Sequence, residues 1–200
     1  MFKKFAMTAG VAALAFGLLT TLGTGVASAS RGKGPPTPVT QTGTVACQVN
    51  AVLTFNPPLQ ATASTSSSVR LNAQLTRCTG ASGHGRTTGH VSGVIGSIPS
   101  NSCAASTITP PAITGLAVRW TPPSRVASTV SASAVSASTA TNGHGKAQLM
   151  ITYTGGSVTG SFATSAGTVT VSSNAPVSAL AHACSGSGLG AISFKGTATL

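Results

Sequence analysis

The chain has 200 residues, of which eleven are Lys or Arg, four are His and none is Asp or Glu, so its formal net charge is +11. Mechanisms that depend on side-chain carboxylates, such as the Ser-His-Asp triad, paired glycosidase carboxylates or an EF-hand, are therefore excluded. We expect a non-catalytic protein without a cofactor or a metal site, and we assign no catalytic residue.

The first 29 residues have the three parts of a secretory signal peptide. A basic start at 1–4 precedes an apolar stretch at 11–22, and small residues close the segment at 26–29. The apolar stretch is shorter than the ~20 residues that a bilayer-spanning helix needs. We therefore predict a protein that is secreted, extracellular or associated with the cell wall, and not membrane-spanning after cleavage of 1–29.

Residues 30–39 are rich in Gly and Pro and carry two cations, Arg31 and Lys33. Such a composition supports neither a helix nor a central strand, so we predict a flexible arm. The folded domain is then expected to cover 40–200.

From residue 40 onward the chain is dominated by Ala, Gly, Ser, Thr and Val, with regularly spaced turn residues. This pattern is typical of an all-β protein. Apolar and polar residues alternate through 69–76 and 192–200, which predicts half-buried strands. Further strands are predicted at 43–55, 89–98, 113–120, 125–138, 146–153, 156–162, 168–172 and 177–181. No helix longer than a turn or two is expected.

All four cysteines, Cys47, Cys78, Cys103 and Cys184, lie in the predicted domain. Export would place them in an oxidising compartment, where an even number of thiols normally forms disulfides. Of the three possible pairings we prefer Cys47 with Cys78, which closes a local loop, and Cys103 with Cys184, which ties the end of the chain to its middle. Zinc ligation is the weaker alternative because no Cys-x-x-Cys spacing occurs.

Three short motifs recur in the same order along the chain. Phe-Asn-Pro-Pro at 55–58 matches Trp-Thr-Pro-Pro at 120–123, Gly-His-Gly-Arg at 83–86 matches Gly-His-Gly-Lys at 143–146, and 94–98 matches 158–162. The order predicts a duplicated β unit with halves at 40–110 and 111–175 and a closing segment at 176–200. We expect the halves to form a disulfide-stabilised β-sandwich, immunoglobulin-like or related, with one continuous curved sheet as the alternative.

The two Gly-His-Gly motifs are the candidate binding loops. Glycine-flanked backbone amides beside a cation favour an anion such as phosphate or sulfate, which makes His84, Arg86, His144 and Lys146 candidate anion-binding residues. An ordinary hairpin turn is the simpler interpretation. If both loops met at one end of the fold, His84 and His144 could instead hold Zn²⁺ or Cu²⁺.

The cations are scattered and no row of aromatic residues accompanies them, so specific nucleic-acid binding is not expected. Positive charge does attract polyanions in general. We therefore expect a cell-surface or envelope-associated binding or structural module whose partners are anionic envelope polymers or another extracellular protein. A secreted inhibitor or antagonist of an extracellular enzyme is the alternative.

Two patterns that contain cysteine carry a resemblance to a known group of proteins. Cys47 is followed by Phe-Asn-Pro-Pro-Leu at 55–59 and by Cys78, and Val-Thr-Gly-Ser-Phe at 158–162 is followed by Cys184 and Gly-Thr-Ala-Thr-Leu at 196–200. With its signal peptide and small-residue composition, the chain resembles the small secreted proteins of unknown function that are common in actinobacteria. The resemblance implies export and a disulfide-tied β fold, and it supplies no catalytic residues.

The absence of Asp and Glu predicts unusual acid resistance. Acid unfolding normally proceeds because native carboxylates take up protons, so the oxidised protein should lose little stability between about pH 5 and pH 2. Thermal unfolding followed by circular dichroism across this range measures the effect. Cooperative unfolding near pH 3, in buffers where the protein is stable at neutral pH, would contradict the expectation.

Overall fold

The computed structural model describes residues 43–62, 65–80, 87–99, 103, 108–121, 127–162 and 164–200. The predicted signal peptide and the arm at 30–39 lie outside these residues. The elements in chain order are β1 (Val45–Leu59), β2 (Ser67–Gly80), β3 (Thr87–Ile98), β4 (Ile113–Thr121), β5 (Ser128–Thr141), β6 (Ala147–Thr159), β7 (Thr164–Pro176), α1 (Val177–Ser185) and β8 (Leu189–Thr199).

The eight strands form a closed antiparallel barrel in which each strand pairs with its neighbours in the sequence. Closure comes from β1 and β8, which pair from Ala46 opposite Thr199 to Thr54 opposite Ala191. The ladder extends one residue further, because the Val45 amide donates to the Leu200 carbonyl at 2.7 Å and the Leu200 amide donates to the Val45 carbonyl at 2.9 Å. The seam between the first and last strands is therefore fully paired along this stretch.

The strand alternation predicted from the sequence is confirmed. Along β1 the odd-numbered residues from Val45 to Phe55 are buried inside the barrel, and the residues between them are exposed or half-buried. The predicted alternating strands at 69–76 and 192–200 fall in β2 and β8 with their apolar residues inward. Small and medium apolar side chains thus fill the interior, and polar side chains cover the outside.

The prediction of a β-sandwich is wrong. A period of two indicates that one face of each strand is buried, and both a sandwich and a barrel satisfy that condition. The pairing of β1 with β8 decides between them, because it joins the two outer strands of the sheet and leaves no second, facing layer.

The predicted strand at 177–181 is also wrong, because this segment is the start of α1. Pro176 precedes the helix with an extended backbone, and Leu180 and Cys184 are the buried residues of α1. Residues four apart lie on one face of a helix, so this face packs inward while Ser and His face solvent. The two strands predicted at 146–153 and 156–162 form a single strand, β6. Within the described ranges, no helix is long and apolar enough to cross a membrane.

Two disulfides join elements that are distant in the sequence, and they are the preferred pairs. Cys47 of β1 bonds to Cys78 of β2 with the Cα atoms 4.1 Å apart, and Cys103 bonds to Cys184 of α1 with the Cα atoms 6.0 Å apart. The bonds span 31 and 81 residues. In the loop-entropy account each contributes roughly 3–4.5 kcal/mol to the free energy of unfolding. The second bond fixes α1 to the segment that precedes β4.

A buried aromatic pair lies at the end of the barrel at which β4 finishes. The rings of Trp120 and Phe162 pack edge to face with their centroids 4.9 Å apart. Trp120 Nε1 donates to Ser128 Oγ at 2.8 Å, and Ser128 Oγ donates to the Ser161 carbonyl. These buried polar groups therefore have partners, which holds the indole ring in place without an unpaired donor.

The motifs that suggested a duplication lie three strands apart. Residues 55–58 are in β1 and Trp120 ends β4, while 94–98 lie in β3 and 158–159 end β6. Neighbouring strands of this barrel run in opposite directions, so a shift by three strands reverses direction and places matching features at opposite ends. The duplication itself and the boundaries 40–110, 111–175 and 176–200 stay predictions.

Among the described glycines, Gly196 of β8 leaves the least room for a side chain. A Cβ atom added at Gly196 would lie 2.7 Å from the Val171 Cα atom and closer still to the Thr170 carbonyl oxygen. Gly196→Ala should therefore lower the free energy of unfolding by about 1–3 kcal/mol or more, because backbone cannot move aside as a side chain can. Gly143→Ala is the control, since nothing lies within 4 Å of the added atom there. Urea unfolding measures both variants, and equal stabilities would contradict the prediction.

Candidate functional site

Five outward-facing residues on neighbouring strands lie in one line across the barrel. Lys195 of β8 is opposite Asn50 of β1, which is opposite Gln74 of β2. Gln74 is opposite His90 of β3, which is opposite Arg119 of β4. All five are exposed, and we call them the polar row. Because neighbouring strands are ~4.8 Å apart, the row follows the curved wall of the barrel for roughly 19 Å from Lys195 on β8 to Arg119 on β4.

The polar row has a cation at each end and two amide side chains between them. Next to Arg119, His90 Nε2 lies 3.1 Å from Asn72 Oδ1, which holds the imidazole ring against β2. The chain contains no Asp or Glu, so Lys195 and Arg119 have no acidic side chain with which to pair. An anion from another molecule is the charged partner that the row can take.

Two shallow depressions lie along the row and share one residue, Gln74. The first, with a volume of about 350 Å³, is lined by the polar side chains of Asn50, Asn72, Gln74, Asn174 and Ser193. The second, of about 230 Å³, is lined by those of Gln74, Thr76, Thr88, His90 and Thr121. Amides and hydroxyls both donate and accept hydrogen bonds, so these surfaces suit a ligand rich in hydroxyl groups.

The Gly-His-Gly-Lys motif is a hairpin turn between β5 and β6. Asn142 organises the turn, because its Oδ1 atom accepts from the backbone amides of His144 and Lys146, each at 3.0 Å. The Gly145 amide donates to the Asn142 carbonyl at 2.9 Å. Three amides of the turn are thus occupied within the chain, and the exposed side chains of His144 and Lys146 are what the turn presents to a ligand.

The other candidate loop residues, His84 and Arg86, lie outside the described residues. The strand ends on either side of them, Gly80 and Thr87, are at the barrel end opposite the Asn142 turn. β5 and β6 have 14 and 13 residues, so about 40 Å of strand separates the two ends.

A second candidate site is an apolar cavity inside the barrel, with a volume of about 80 Å³. Side chains from all eight strands line it, among them Val49, Leu75, Ile151 and Phe194. Among the described residues that line the cavity, Tyr153 alone has a polar side chain. The interior space is therefore apolar, and Tyr153 is the described lining residue that carries a hydroxyl group.

Tyr153 is only 7% exposed, and its hydroxyl lies 3.5 Å from the Pro111 carbonyl oxygen. Hydroxyl donors normally approach acceptors to 2.7–2.8 Å, so this contact is long. Burial raises the pKa of the Tyr153 hydroxyl above its usual value, since the charged phenolate would be poorly solvated there. The group stays neutral and keeps its proton available to a stronger acceptor.

No protein-family model, curated protein or solved structure matches this chain. The candidate sites therefore stand on the geometry of this barrel.

The sequence pattern does not predict the polar row. Its members, Lys195, Asn50, Gln74, His90 and Arg119, are far apart in the sequence and share no motif. The sequence does indicate that each of these five residues occupies an outward-facing position in its strand. Strand register, which the sequence pattern does not specify, is what aligns them.

The buried hydroxyl of Tyr153 predicts a pH-dependent stability in the alkaline range. A raised pKa means that the stabilisation is present below about pH 10 and is lost as the pH rises towards the raised value. Tyr153 is the only tyrosine in the chain, so the ultraviolet absorbance of tyrosinate reports this group. The absorbance should rise at higher pH in the native protein than in urea. Coincident titration curves would contradict the burial of this group.

Proposed function

We propose that the protein is a secreted, non-catalytic module that binds an anionic polysaccharide of the cell envelope through the polar row. The observation that carries the proposal is the cross-strand alignment of Lys195, Asn50, Gln74, His90 and Arg119 on the outer face of the barrel.

Charge supports an acidic partner. Lys195 and Arg119 are exposed at the two ends of the row, and the chain offers them no carboxylate side chain. The net charge of +11 adds a long-range attraction that brings polyanions to the surface at low ionic strength. A polymer with repeated negative groups can contact both cations when it follows the curved wall of the barrel, whereas a small anion contacts only one.

The amide and hydroxyl side chains near the row favour a sugar polymer as the partner over a polyanion without hydroxyl groups. Between the cations lie Asn50 and Gln74, and the depressions beside them add Asn72, Asn174 and Ser193. Such side chains both donate to and accept from hydroxyl groups, which sugars carry on every ring. Uncharged hydrogen bonds of this kind fix the position of a polymer that charge alone would leave free to slide.

The location is supported by the two disulfides, which are compatible with an extracellular protein. In that setting the polyanions within reach are polymers of the cell envelope, which bear carboxylate or phosphate groups. The signal peptide predicted at 1–29 fits the same location.

Binding to purified cell walls and to soluble polygalacturonate, with neutral dextran as the comparison, tests the proposal. The variant Lys195→Gln with Arg119→Gln should bind polygalacturonate roughly three- to thirtyfold more weakly at low salt, because each exposed charge contributes about 0.3–1 kcal/mol. Gln74→Ala should weaken binding with the salt dependence unchanged. Unaltered affinity in these variants would overturn the proposed site.

The control is Arg70→Gln with Lys146→Gln, which removes two exposed cations away from the row. Arg70 lies four residues along β2 from Gln74, a distance of about 13 Å. If this control binds as weakly as the row variant, net charge or the Asn142 turn accounts for the attraction and the row is not the binding surface. Stoichiometric inhibition of a secreted protease, without wall binding, would favour the inhibitor alternative.

A further inference from the structure

The interior cavity has the features of a ligand site that is separate from the outer face. Closed barrels of eight strands have an interior that side chains fill or that holds one small molecule. Here the side chains of all eight strands leave about 80 Å³ unfilled. The space is bounded by alanines at positions where larger residues would have closed it, notably Ala51, Ala73 and Ala198.

Water is a poor occupant of this cavity. A buried water molecule needs two to four polar partners, and the lining side chains among the described residues supply one hydroxyl, that of Tyr153. Apolar cavities of this kind stay dry and take up small apolar molecules instead. The volume is about half of the ~150 Å³ engineered cavity that binds benzene, so the occupant is smaller than an aromatic ring.

The Tyr153 hydroxyl adds a chemical preference. Its hydrogen bond to the Pro111 carbonyl oxygen is long, at 3.5 Å, although the side chain is buried. A ligand atom that accepts this proton at the usual hydroxyl distance would make a shorter hydrogen bond than the Pro111 carbonyl does. Small ketones and esters combine such an acceptor with an apolar body.

From this cavity and its single hydroxyl we infer that the barrel binds, in its interior, a small apolar molecule with one hydrogen-bond acceptor, such as a short ketone. Apolar side chains from every strand enclose the body of the ligand, and Tyr153 donates a hydrogen bond to its oxygen. This site is independent of the polar row, since its ligand is neutral.

The test uses acetone and its hydrocarbon isostere 2-methylpropene, in which a CH₂ group replaces the oxygen, because both molecules are smaller than benzene. Both should bind saturably and shift the NMR signals of methyl groups on Val49, Ile151 and Val171 in the wild-type protein. Tyr153→Phe should weaken acetone binding about two- to tenfold, the value of one hydrogen bond, and leave the hydrocarbon unaffected. Equal effects on the two probes, or none on acetone, would overturn the role of Tyr153.

A variant that fills the space tests the cavity itself. Ala73→Leu should abolish saturable binding of both probes, whereas the same change at the exposed residue Ala117 should preserve it. If Ala73→Leu does not fold, the smaller change Ala51→Val serves, with at least a tenfold loss expected. Binding that survives the filling variant, or probe-induced shifts on outward residues only, would overturn the inference.

Discussion

The hydrogen-bonded seam between β1 and β8 is the constraint on which the rest of the structure depends. It joins the two ends of the domain and continues to the paired amides and carbonyls of Val45 and Leu200. Without it the sheet would have two free edges, which invite pairing with other chains. With it every strand pairs with two neighbours. The alternating apolar and polar residues of a strand then point into the barrel and towards solvent, respectively.

Closure also explains how the protein tolerates a core with few large side chains. A barrel of eight strands encloses a narrow space, so Val, Leu, Ile and Ala nearly fill it, with aromatic residues such as Trp120 and Phe194 at selected positions. The two disulfides link the elements that surround this core. One joins β1 to β2, and the other joins α1 to the segment before β4. The remaining interior volume is small and apolar, and residues of all eight strands line it.

Local features of the fold could be predicted from the sequence, and the global arrangement could not. Alternation in 69–76 and 192–200 identified strands, and loop length favoured the disulfide pairs that the structure contains. Period-two alternation is the same in a sandwich and in a barrel, so it carried no information about the pairing of β1 with β8. The segment at 177–181 was misassigned because its Ala, Ser and Val residues fit a strand, and the extended Pro176 that ends β7 was not recognised as the start of α1.

The same seam creates both candidate sites, which explains why neither was visible in the sequence. The polar row crosses the seam from Lys195 to Asn50, so one of its residues comes from the last strand and the other four come from the first four strands. On the inner side, Ala51 and Phe194 are paired across the seam and line the cavity. These two residues also line the first outer depression, so one thin part of the wall separates the two sites. A sequence pattern describes one strand at a time, whereas each of these sites is a property of the register between strands.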